Sequence, residues 1–125
     1  MTSRTLFAFL LAAGALLAAD WSGKWVGTME TVKGGPGAPP VDDHMMVLIQ
    51  SGVEVTGTAG PREKAQWALK NVRLNGANLT FDTSSPGGVF VLAYELEVKD
   101  GVITGRVVSK KGQELEGKLK LNRAI

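Results

Sequence analysis

The chain has 125 residues, with 14 Lys and Arg against 12 Asp and Glu, one His and no Cys. The near-neutral charge argues against a nucleic-acid binder and against a polybasic membrane binder. The missing cysteine excludes disulfide frameworks, thiolate metal sites, cysteine nucleophiles and a lipid-modified N-terminal cysteine.

Residues 1–19 carry the three parts of a secretory signal. Arg4 supplies a positive start, Phe7 to Leu17 an apolar run of 11 residues interrupted by Gly14, and Ala18-Ala19 the small residues before a cut. The run is shorter than the ~20 apolar residues that a bilayer span needs. No second apolar span follows it. Cleavage leaves residues 20–125, which are 106 residues with 13 basic and 12 acidic groups. This portion is expected to be exported, periplasmic or secreted, to carry no membrane span, and to form a single domain.

After Asp20 the apolar residues alternate at period two, with turn signals about every 8–12 residues. Eight strands are predicted in chain order: Trp21–Val32, His44–Gln50, Val53–Ala59, Trp67–Leu74, Ala77–Asp82, Val89–Lys99, Val102–Ser109 and Glu114–Arg123. Asn75-Gly76 and Asp100-Gly101 are hairpin turns that tolerate positive φ. Ser51-Gly52 and Lys111-Gly112 separate two further pairs. Lys33 to Asp43, with three Pro and three Gly, reads as a long loop. Arg62 to Ala68 is the one helix candidate, either a single turn or a loop running straight into the next strand. Gly52 to Gly57 is echoed by Gly101 to Gly105, each ending in Thr-Gly. The echo marks either a duplication or similar glycine needs in two strands of one barrel.

Short links between sequential strands imply antiparallel neighbours. On the first strand Trp21, Gly23, Trp25, Gly27 and Met29 share one face. Glycines beside tryptophans on that face suggest a coiled strand wrapping a closed core. The prediction is an all-β, eight-stranded antiparallel up-and-down barrel, a size that is filled by side chains or holds one small ligand. Met45 to Ile49 and Val89 to Tyr94 are apolar on both faces and therefore need a cover. The candidates are the Pro-rich loop, a partner protein, or a second copy in a homodimer through the apolar outer strands.

Residues able to carry chemistry are few. His44 follows Asp42 and Asp43, but three consecutive residues do not converge on one ion, and His44 reads as an exposed loop end. Glu95 and Glu97, and Glu114 and Glu116, alternate with apolar residues and read as solvent-facing. Gly34-Gly35-Pro36-Gly37 lacks the Lys-Ser/Thr and helix of a phosphate loop. No catalytic residue, metal or cofactor is expected. The remaining candidates are apolar: Met29, Met46, Trp67, Phe81, Phe90 and Tyr94 are expected to line a mouth for a small apolar ligand, or else to fill the core.

Gly23-Lys24-Trp25 resembles the Gly-x-Trp element of the lipocalin and wider calycin superfamily. That resemblance implies a lipocalin-like barrel in which Arg123, near the end of the last strand, packs across Trp25 and closes the floor. The sequence is also similar to small exported bacterial proteins that begin Gly-x-Trp-x-Gly, carry Val-Thr-Gly-Thr and end on an arginine. It departs from lipocalins in length and in the C-terminal helix they usually carry, so their ligand cavity is not implied. The expected function is a non-catalytic binding module with a small apolar ligand at its mouth and Lys33 to Asp43 as a flap. The alternative is a structural or protein-interaction barrel with a filled interior.

Overall fold

The structure, a computed structural model, describes residues 20–124. The export signal read in residues 1–19 lies outside them. Among the described residues nine strands form one sheet: β1 (Gly23–Gly34), β2 (Val41–Ser51), β3 (Glu54–Arg62), β4 (Ala65–Ala68), β5 (Lys70–Asn75), β6 (Asn78–Ser84), β7 (Val91–Lys99), β8 (Val102–Lys111) and β9 (Leu115–Arg123). A 3₁₀ turn at Pro86–Gly88 lies between β6 and β7. The order across the sheet is β4-β3-β2-β1-β9-β8-β7-β6-β5. Each pairing among these strands is antiparallel, and the sheet curls into a nearly closed barrel.

The count of nine corrects the expected eight, and the difference lies in the segment Trp67–Leu74. That segment is not one strand. It breaks at Leu69, whose N–H donates to the Gly57 carbonyl at 3.0 Å. Before the break, Ala65–Ala68 pairs with β3; after it, Lys70–Asn75 pairs with β6. Asn71 takes a positive φ of 54° where the β5–β6 register shifts. The short polar side chain of Asn tolerates this left-handed turn better than most residues. One stretch of chain therefore serves both ends of the sheet and brings them together.

Two other expectations change. Arg62 to Ala68 holds no helix: Arg62 ends β3, and a turn at Glu63-Lys64 leads into β4. The Pro-rich loop is shorter than Lys33 to Asp43. Lys33 and Gly34 stay in β1, while Val41, Asp42 and Asp43 pair with Glu30, Met29 and Thr28. Only residues 35–40 remain irregular, and they fold back so that Thr31 donates from N–H to Pro40 O (2.9 Å) and from Oγ1 to Pro39 O (2.7 Å).

Alternation sets the core. Trp25, Met46, Leu48, Leu79, Phe81, Tyr94, Ile103, Val107 and Leu121 are all buried inside the barrel. Burying a large apolar side chain stabilises by about 1.5–3 kcal/mol. The echoed glycines have matching work. A Cβ on Gly57 would strike the Val47 carbonyl oxygen, and one on Gly105 the Glu95 carbonyl oxygen. Each glycine lets its strand press against the neighbouring backbone. Their cross-strand partners, Leu48 and Leu96, are both buried.

Candidate functional site

The antiparallel order gives the barrel two unlike ends. The start of β1, the end of β9 and the tight turns after β2, β5 and β7 gather at one end. The segments 35–40 and 85–90, with the turns after β3 and β8, gather at the other.

The first end is closed. Trp25 and Arg123 face each other in the β1–β9 register, and the guanidinium lies 4.4 Å from the Trp25 ring centroid. Arg123 also donates to the Ser22 carbonyl at 2.6 Å and the Asp20 carbonyl at 2.8 Å. Trp25 Nε1 donates to the Trp21 carbonyl at 2.9 Å, and both tryptophans are fully buried. A cation over an indole contributes about 0.5–2 kcal/mol, more as water is excluded.

The second end holds a cavity of about 320 Å³. Met29, Pro61, Trp67, Phe90, Leu92 and Leu115 supply its apolar wall, and Asp42, His44, Thr83 and Ser85 its polar points. Three of the six predicted ligand residues, Met29, Trp67 and Phe90, meet here. The other three lie deeper. Met46 pairs with Trp25 towards the closed end. Phe81 pairs with Tyr94, and their rings stack with centroids 4.5 Å apart.

Tyr94 reaches the site through a partner that local sequence does not disclose. His44 is only 5% exposed, not the expected loop end. It sits inside β2, with its Nε2 2.8 Å from the Tyr94 hydroxyl. Tyr94 is also hydrogen-bonded to the Thr83 side chain. Burial lowers the His44 pKa to about 4 against the opposing pull of the Asp42 charge. Burial likewise raises the Tyr94 phenol, with the Thr83 hydrogen bond opposing it. Both groups are therefore neutral near pH 7.

The proton positions turn on the His44 tautomer. Either Tyr94 donates to His44 Nε2 and the imidazole proton sits on Nδ1, or Nε2–H donates to the Tyr94 oxygen and Nδ1 is a bare acceptor. That Nδ1 is buried and has no hydrogen-bond partner among the described residues. Leaving such a group unpaired costs about 1–3 kcal/mol.

The acidic pairs lie elsewhere. Glu95 is on the outer surface, 3.2 Å from Arg106, which also approaches Glu116 at 3.8 Å. Among the described residues no cluster of His, Asp and Glu is placed to hold a metal ion, and no helix is long and apolar enough to cross a membrane. In comparisons with known proteins the chain matches no family model, no curated protein and no solved structure.

Proposed function

We propose that this protein is an exported, periplasmic or secreted, non-catalytic binding module that holds one small apolar molecule at the open end of its barrel. The observation that carries this reading is the cavity itself. Its volume of about 320 Å³ falls within the ~300–1,000 Å³ range of small-molecule sites. Its wall is almost wholly apolar, with a few polar groups at fixed points, which is how such sites orient a ligand. Residues 35–38 line a neighbouring hollow that shares Phe90 and Leu115 with the cavity, which supports reading this loop as its flap.

A lipocalin-like or calycin-type identity is part of the proposal. Its support is the Gly23-Lys24-Trp25 element on β1, with Arg123 stacked over Trp25 from β9.

Native mass spectrometry of the exported protein, followed by denaturing extraction, tests the binding reading. A reproducible small-molecule adduct is the expected result. A bare protein that takes up no fluorescent apolar probe would overturn it. The second reading, an interaction barrel or homodimer without a ligand, then becomes the better one. Val47 and Ile49, exposed on the outer face of β2, favour that second reading.

A further inference from the structure

We propose that the cavity selects by charge: its ligand is an apolar molecule whose polar group is an uncharged hydroxyl or carbonyl, and the matching carboxylate is rejected. This rests on the binding reading above and adds the ligand's chemical class to it.

Among the described residues, no Lys or Arg lines the space. The one ionised group in the wall is Asp42, which alternates with His44 on the inward side of β2. A buried carboxylate needs a cation or several donors to replace its water. Here it would meet neither a cation nor a neutral surround, because Asp42 repels it. His44 supplies no positive charge either, since it is held neutral beside Tyr94.

What the wall does offer is neutral hydrogen bonding. Thr83 carries a hydroxyl at the cavity and His44 forms part of its lining, while the Ser85 hydroxyl there already accepts from the Phe90 N–H at 2.9 Å. A hydroxyl or carbonyl needs one or two such partners and carries no net charge to be desolvated. An ammonium has Asp42 as a partner, but it would lose its water against Met29, Trp67, Phe90 and Leu92. Size agrees with a modest ligand. At ~30 Å³ per water-sized group, a cavity of about 320 Å³ has room for about ten such groups.

The test uses octanol, octanoate and octylamine, which share one alkyl chain and differ in head group. Each is titrated calorimetrically into the whole protein near neutral pH. Octanol is expected to bind at least about ten-fold more tightly than either charged probe. Octanoate or octylamine binding as well as octanol would overturn the charge selection and leave the binding reading standing. Failure of all three would overturn both. A Leu115→Lys variant gives an independent check, because Leu115 is only half-buried at the rim and its replacement should fold. The added cation should raise octanoate affinity relative to octanol about ten-fold. No gain for octanoate in a folded Leu115→Lys protein would contradict the proposal.

Discussion

At the closed end Trp25 lies under Arg123, and the guanidinium ties down the carbonyls of Asp20 and Ser22. At the open end Trp67, Phe90 and Leu115 stand around space. The same strands run through both ends, and each end keeps one buried nitrogen without a partner among the described residues, Trp21 Nε1 at the closed end and His44 Nδ1 at the open end. The difference is therefore one of packing. Filled space holds a fold together, whereas an apolar wall around unfilled space gives up stability, and such positions collect at sites with a function.

This contrast can be broken by mutation, and the effects rank in order. Trp25→Ala should be the most damaging, costing about 3–5 kcal/mol in chemical denaturation because a fully buried indole leaves a cavity behind. A loss below 1 kcal/mol would show that the closed end is not the anchor.

Next comes acid. In the unfolded chain His44 takes a proton near pH 6.5, and in the folded barrel near 4. Between those values the unfolded state binds more protons, so stability falls as pH drops through that window. The loss should approach about 3 kcal/mol. His44→Gln, which keeps a partner for the Tyr94 hydroxyl, should flatten the stability profile over the same window. An unchanged profile would place the acid sensitivity elsewhere.

Arg123→Met should cost about 1–3 kcal/mol through the lost stacking and charge-assisted hydrogen bonds. Ligand affinity at the far end should stay the same. Phe90→Ala should do the reverse. Phe90 is 38% exposed, so stability should change by under about 1 kcal/mol. Binding of an apolar probe should weaken about five- to ten-fold. Smallest of all, Glu95→Gln should shift stability by no more than about 0.5 kcal/mol, because its ion pair with Arg106 is solvent-exposed.

Much of the fold was legible because it depends on local rules. Asn75-Gly76 and Asp100-Gly101 sit at tight turns, with Gly76, Asp100 and Gly101 all at positive φ. The alternation on β1 placed Trp25 and Met29 inside. Alternation reports which face a side chain takes, but not its height along the barrel. Alternation therefore groups Met46 and Phe81 with Met29 and Phe90, although they pack deeper. The break at Leu69 was hidden for a different reason. It is imposed by the need to pair with β3 on one side and β6 on the other, a demand of closure that no local window carries. His44 was missed because Asp42-Asp43-His44 looks polar on its own. Its partner Tyr94 lies 50 residues away on β7, which does not neighbour β2 in the sheet.

The most direct test of the account compares two methionines by methyl NMR during a titration with octanol. Met29 lines the open-end cavity, and Met46 pairs with Trp25 near the floor. A site at the open end predicts a saturable shift of the Met29 methyl while the Met46 methyl stays in place. A titration that moves neither, or moves Met46 as much as Met29, would contradict a binding site at the open end.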